Sequence, residues 1–214
     1  MFDLVIFDCD GVLVDSESAS DSIISRLLSE IGIELSPEEV RRRSQGMSDR
    51  DMWAMFARDF ARPMPRWLKA KYQKQETASL RQNVVPIPGV EALLGHLSDR
   101  RQSICVASSG TKAKMRISLG VTRLSRFFSG NIFSASQVRN GKPAPDLFLF
   151  AAERMGFQPE RCAVVEDSVN GVCGGVAAGM KVFAYSRVGP SAELTAAGGH
   201  IFSRMEELLV PLGI

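Results

Sequence analysis

Two aspartates, Asp8 and Asp10, follow an apolar run at residues 4–7 and are separated by a single cysteine. Asp is a poor strand residue, and two close carboxylates repel each other. Such a placement calls for something that offsets the charge. In an extended chain residues i and i+2 point the same way, so both carboxylates face one spot at the end of a strand. Cys9 then points the opposite way, into the core, and Gly11 permits a tight turn. Three other apolar runs lead to complementary groups. Ser108-Ser109-Gly110 brings hydroxyls and small backbone suited to an oxyanion. Gly141-Lys142-Pro143 brings an ammonium ahead of a helical pattern, and Glu166-Asp167-Ser168 brings two adjacent carboxylates at the end of a buried run. Taken singly, each has an ordinary reading as a solvated turn, a helix cap, a surface charge or a helix start. Taken together they supply four carboxylates, a hydroxyl and an ammonium. That is the make-up of an oxygen site for a hard cation such as Mg²⁺, next to a clamp for phosphate.

Two competing motifs fail on their spacing. An EF-hand-type calcium loop starting at Asp8 would need polar residues and glycine where Val12 and Leu13 stand. The run from Gly171 to Gly179 is glycine-rich but lacks the GxGxxG spacing, and Glu166-Asp167 comes directly after the strand. Its small residues are expected to let a helix pack closely on a sheet.

The elements that must position these groups are legible from periodicity. Apolar runs at residues 4–7, 103–107, 163–165 and 181–185, with a weaker one at 131–134, read as buried parallel strands. Helical patterns at 111–119, 143–155 and 168–178 alternate with them, which predicts an α/β fold with a doubly wound parallel sheet. Residues 16–83 break the alternation with helical patterns at 18–31, 37–44, 49–60 and 65–80. Ile23, Ile24, Leu27, Leu28 and Ile31 mark one helix face. The expected organisation is a catalytic core of residues 1–15 and 84–214, with a helical lobe of residues 16–83 inserted after the first strand. The Pro-rich turn at 85–89 marks the return. The lobe carries an excess of two positive charges and the rest is balanced, a bias that would suit an anionic substrate.

The chain has 214 residues, 45% apolar and 23% charged, with a net charge of +2, which is ordinary for a globular protein and too mild for a nucleic-acid partner. Cys9, Cys105, Cys162 and Cys173 are scattered without a CxxC pair, so reduced thiols and a cytoplasmic location are expected. No signal-peptide pattern and no membrane-length apolar run is present. A monomer or weak dimer is expected. His96 and His200 lie far from the motifs and read as surface or packing residues, and Trp53 and Trp67 as core of the helical lobe.

FDCDGVLVDSE, the Ser108 turn, GKPAPD and VVEDSVNG, in this order, resemble the four motifs of the haloacid dehalogenase superfamily. The resemblance spans nearly the whole chain. It includes a helical cap after the first motif, as in the branches similar to β-phosphoglucomutase and phosphoglycolate phosphatase. It implies Mg²⁺ as cofactor and a small phosphorylated metabolite as partner, with no nucleic acid and no membrane. It also implies Asp8 as nucleophile forming an aspartyl-phosphate, and Asp10 as general acid and then base, its carbonyl on the metal. Ser108, with Ser109 beside it, and Lys142 would hold the phosphoryl oxygens. Asp167 would ligate the metal, with Glu166 as a direct or water-bridged ligand. Gln45, Ser48, Asp49, Arg50 and Lys74 of the cap would tune specificity. A phosphomonoesterase acting on a sugar or sugar-acid phosphate, of the 6-phosphogluconate kind, is the expected activity. A phosphosugar mutase is the alternative, but such enzymes place an Arg where this chain has Asp49 and a His where it has Ser20. A metal-free dehalogenase would lack Asp10.

Overall fold

The apolar runs become the inner strands of a six-stranded parallel sheet in the computed structural model, which describes residues 2–213. The chain runs β1 (Leu4–Phe7), β2 (Val14–Asp15), α1 (Glu17–Ser29), α2 (Pro37–Ser44), α3 (Asp49–Asp59), α4 (Arg66–Asn83) and β3 (Val85–Pro86). It continues α5 (Val90–Asp99), β4 (Ser103–Ser108), α6 (Lys112–Val121), β5 (Ile132–Ser134), α7 (Asp146–Met155) and β6 (Cys162–Glu166). It ends α8 (Val169–Ala177), β7 (Lys181–Tyr185), α9 (Ala192–Ala196) and β8 (His200–Phe202). The sheet order is β5-β4-β1-β6-β7-β8. The chain winds outward in one direction from β1 through β4 and β5, then in the other through β6, β7 and β8. The crevice beside the carboxyl end of β1 is therefore the place where open sheets of this kind bind ligands.

Alternate residues of β1 divide between two cores. Val5 and Phe7 pack with Leu94 of α5 and Met115 of α6 on one face. Leu4 and Ile6 pack with Phe148 of α7 and Val172 of α8 on the other. Both faces are covered, which is why the strands show no polar alternation. The glycines of α8 do let it lie close to the sheet, since a Cβ on Gly175 would stand 2.7 Å from Val182 Cγ2. Cys9 is fully buried in the first of these cores.

Helices α1–α4 enclose a third core of their own that includes Ile24, Leu27, Leu28, Phe56, Leu68 and Tyr72. Leu27 and Leu68 are fully buried, so truncation of either to Ala should cost about 2–5 kcal/mol. Ser36 starts α2 with a reciprocal cap: its hydroxyl accepts from Glu39 N (3.2 Å), while Glu39 accepts from Ser36 N (2.8 Å). The two crossings between this helical block and the sheet lie side by side, because β2 and β3 pair antiparallel, Val14 with Pro86 and Asp15 with Val85.

Several expectations change. The helix predicted at residues 143–155 begins at Asp146, since each proline disfavours helical backbone at the residue before it, Lys142 and Ala144, and Pro145 takes the capping position. Helix α5 lies outside the elements the periodicity picked out, although Val90, Leu93, Leu94 and Leu97 have helical spacing. Trp53 is core at 3% exposure, but Trp67 is 48% exposed while its neighbour Leu68 turns inward. His96 and His200 are both on the surface. Among the described residues no helix is long and apolar enough to cross a membrane.

Candidate active site

Asp8 follows β1 directly, and its backbone N–H donates to the Val165 carbonyl at 2.9 Å, so it is still tied to β6. The chain then turns sharply: Leu13 N and Val14 N both donate to the Cys9 carbonyl, and Gly11 has φ +81°. A Cβ on Gly11 would lie 2.2 Å from Asp167 Oδ2. Glycine is therefore needed here both for its conformation and for the close approach of the two acidic segments.

Lys142 arrives from the segment before α7, its side chain 1% exposed. Its ammonium lies 2.5 Å from Asp8 Oδ1 and 2.6 Å from Glu166 Oε1, above the Phe148 ring. The other Glu166 oxygen, Oε2, accepts from Asp167 N and Ser168 N at 2.7 Å and from the Ser168 hydroxyl at 3.0 Å. Both oxygens of Glu166 are thus already engaged by protein donors. Ser168 in turn caps α8 by accepting from Gly171 N at 3.0 Å. Ser108, at the end of β4, is 1% exposed, and its oxygen accepts from Gly110 N at 3.2 Å.

One ammonium therefore serves a buried carboxylate cluster. Burial pushes Asp8 above the ordinary carboxylate range; Lys142 opposes this, while Glu166 and Asp10 add to it. Burial alone would lower Lys142, but Asp8 and Glu166 outweigh it and the net shift is upward. Asp8, Glu166 and Asp167 each offer an oxygen, and these oxygens lie within 4.8 Å of one another. The uncompensated negative charge and the all-oxygen donor set fit a hard divalent cation such as Mg²⁺.

Asp10 is held on both sides. The Ser16 hydroxyl donates to Oδ1, and Lys114 Nζ of α6 lies 3.2 Å from Oδ2. Lys114 also lies 3.0 Å from Oε1 of Glu76, a buried residue of α4 that accepts the Tyr72 hydroxyl at 2.6 Å. Burial pulls the Lys114 ammonium down, yet Asp10 and Glu76 carry it well above its usual range. The sequence reading misses Lys114, Glu76 and Tyr72. For Lys114 the only available signal was its position one turn beyond the Ser108 segment. For Glu76 it was a lone acid on the apolar side of a helix.

The structure brings Asp8, Asp10, Ser108, Ser109, Lys142, Glu166 and Asp167 together at the carboxyl ends of β1, β4 and β6. The helical block closes over them. Gln45 Nε2 donates to Asp167 Oδ2 at 3.2 Å, Asn170 donates to the Gln45 carbonyl at 2.9 Å, and the Ser109 hydroxyl donates to the Gly46 carbonyl at 2.7 Å. The cavity between them, of about 90 Å³, runs from Asp8 and Ser108 to Asp21, Arg41, Asp49 and Tyr72. Asp49 lines it, whereas Ser48, Arg50 and Lys74 do not. The Ser48 hydroxyl donates to Asp51 at 2.6 Å and its oxygen caps α3. Arg50 is exposed and paired to Asp51, and Lys74 is exposed. Burial, followed by the charge of Glu76, pushes the Asp49 carboxyl up to about 6. The slight positive excess of the helical lobe does not extend to this wall of the cavity.

The sequence profile of the haloacid dehalogenase-like hydrolases matches residues 5–185, and the chain belongs to that family. It is 33% identical over 180 residues to the 6-phosphogluconate phosphatase of Escherichia coli K12, covering 84% of this chain and 80% of that protein. It is 31% identical over 193 residues to hexitol phosphatase A of the same organism, covering 84% and 81%. Among solved structures, a conserved haloacid dehalogenase-like protein from Agrobacterium tumefaciens is 36% identical with a TM-score of 0.81, covering 100% of this chain and 98% of that one.

Proposed function

We propose that this member of the haloacid dehalogenase-like hydrolase family is a Mg²⁺-dependent phosphomonoesterase that acts on a small phosphorylated metabolite through an aspartyl-phosphate on Asp8. The observation that carries this reading is the buried Lys142, shared between Asp8 and Glu166 directly behind a cavity that Asp8 and Asp10 line. Lys142 draws on one oxygen of Asp8 and opposes the upward push of burial, and with a divalent cation also bound the carboxyl would be ionised, so the other oxygen attacks phosphorus while the ester P–O bond breaks. Asp10, steadied by Ser16 and Lys114, gives its proton to the departing alkoxide. In the second half Asp10 takes a proton from water, the water oxygen attacks phosphorus, and the Asp8–phosphorus bond breaks. The alcohol and inorganic phosphate are the products. Ser108 and Lys142 hold the phosphoryl oxygens.

Asp8 and Asp167 would hold Mg²⁺ directly, with the Asp10 carbonyl. Glu166, both of whose oxygens accept protein hydrogen bonds, would orient Lys142 and the Asp167 turn and reach the metal through water. The ion supplies charge stabilisation for the meeting of two anions. The helical block 16–83 acts as the cap that excludes water and selects the leaving group. A mutase would need a cation for a second phosphate. The cavity instead presents Asp49, and among the described residues no cation lies within 4 Å of that carboxylate.

Phosphate release from p-nitrophenyl phosphate with Mg²⁺ tests this reading. Asp8→Asn should abolish release with an unchanged melting curve, and EDTA should silence the enzyme until Mg²⁺ is restored. Turnover by Asp8→Asn would remove the nucleophile, and indifference to metal would remove the Mg²⁺ assignment.

A further inference from the structure

The cavity has a floor and a roof of different chemistry. The phosphoryl group belongs at the floor, over Asp8 and Ser108 with Lys142 behind Asp8, so the alcohol it leaves must extend towards the helical block. The groups waiting there are Ser20, Ser44, Gln45, Asp49, Tyr72 and the Asp21–Arg41 pair. The cations in this half already have carboxylate partners: Arg41 Nε lies 2.7 Å from Asp21, and Lys114 is shared by Asp10 and Glu76. Asp49 is the carboxylate left over. It sits at the first position of α3, facing the cavity, where burial, Glu76 and Asp10 push its carboxyl up and the Lys114 ammonium opposes them.

We propose that the leaving group is an uncharged, hydroxyl-rich alcohol, and that Asp49 selects it by accepting its hydroxyl protons and repelling any carboxylate. This deepens the phosphatase reading and rests on it. The Ser20, Ser44 and Tyr72 hydroxyls donate within the protein and Gln45 Nε2 donates to Asp167, so each of these side chains keeps an oxygen that can accept from a polyol hydroxyl. A carboxylate at the far end of the same skeleton would meet Asp49, where Lys114 is already shared by Asp10 and Glu76 and Arg41 is held by Asp21. A site that repels charge in this way discriminates between near-isosteres more strongly than an apolar pocket does. At neutral pH a carboxyl held near 6 is mostly ionised, so the acceptor is present under ordinary conditions.

A matched pair of substrates decides the matter. Glucitol 6-phosphate and 6-phosphogluconate share a carbon skeleton and differ at one end, CH₂OH against COO⁻. The wild-type enzyme with Mg²⁺ should hydrolyse the glucitol ester with a kcat/KM about tenfold or more above that of the acid. Asp49→Asn should cut this ratio about tenfold, mainly by improving the acid, while p-nitrophenyl phosphate turnover reports the state of the chemistry. Affinities of both compounds for the inactive Asp8→Asn enzyme, measured by calorimetry, should show the same order. The proposal is overturned by preference for 6-phosphogluconate, by a ratio that Asp49→Asn leaves unchanged, or by better turnover of an amino-sugar phosphate than of the glucitol ester. It is also overturned if p-nitrophenyl phosphate is hydrolysed and neither member of the pair is. Failure to hydrolyse any phosphomonoester would instead bring down the phosphatase reading beneath it.

Discussion

Lys114 joins the core to the helical cap, and its removal should be felt on both sides. Its ammonium is 3.0 Å from Glu76 and 3.2 Å from Asp10, and the Lys114 and Glu76 side chains are 15% and 7% exposed. At an effective dielectric constant of about 20, a pair at this spacing has a Coulomb attraction of roughly 5 kcal/mol, of which desolvation cancels a large part. Lys114→Met leaves two carboxylates without their cation and should destabilise the protein by about 3 kcal/mol. Glu76→Gln keeps the Tyr72 hydrogen bond and leaves Lys114 with Asp10, so it should cost about 1–2 kcal/mol. The double variant should fall short of the sum by about 1–2 kcal/mol, because once Lys114 is absent the Glu76 charge is a liability. Urea unfolding followed by circular dichroism and by the fluorescence of buried Trp53 measures all four corners of the cycle. Additivity within about 0.5 kcal/mol would refute the reasoning and make the bridge a solvent-screened contact. Lys114→Met should also slow hydrolysis of alkyl phosphates far more than that of p-nitrophenyl phosphate in a single turnover. Asp10 then loses the partner that positions it, and only the alkyl leaving group needs a proton.

Lys142→Met removes the ammonium shared by two buried carboxylates, so phosphate release should drop by about 10²–10³ and the melting temperature should fall; near-normal turnover would exclude its role as a phosphate clamp. Gly46 has φ +77°, and a Cβ there would stand 2.5 Å from the Ser168 hydroxyl oxygen. Gly46→Ala should therefore cost about 1–2 kcal/mol of stability and raise KM, whereas unchanged values would show that this loop is not pressed against the core. Asp49 has a folded value near 6, above its ordinary 3.8, so its neutral form is the one the fold favours. Its contribution to stability is complete below about pH 4 and is lost as pH rises to about 6. After allowance for partial exposure this amounts to about 1–2 kcal/mol. Denaturant midpoints of wild type and Asp49→Asn, compared across that range, should diverge as pH rises, with the variant the more stable at neutral pH.

The chemistry at the strand ends was written locally. Asp8 and Asp10 share a direction because an extended chain repeats every two residues, and Ser108, Lys142 and Glu166-Asp167 stand where apolar runs give way to helices. The parallel sheet followed from the same runs, since strands covered on both faces need no polar alternation. Helix α9 and strand β8 escaped because five and three residues are too few to show a period. Trp67 defied its hydrophobicity because the rotation of α4 gave the inward place to Leu68.

What folding decided is which charges meet. Lys114 and Glu76 are 38 positions apart on different lobes, and no pattern in either helix announces the partner; the pair exists because α4 docks beside α6. Asp49 faces the cavity and Arg50 faces solvent, since each step along a helix turns the side chain by about 100° and the docking of α3 fixes where that rotation begins. Local sequence therefore set which carboxylates, hydroxyls and ammonium stand at the strand ends, through short-range geometry. The acidity of the roof above them came from long-range packing, which alone determines the distance between charges far apart in the chain.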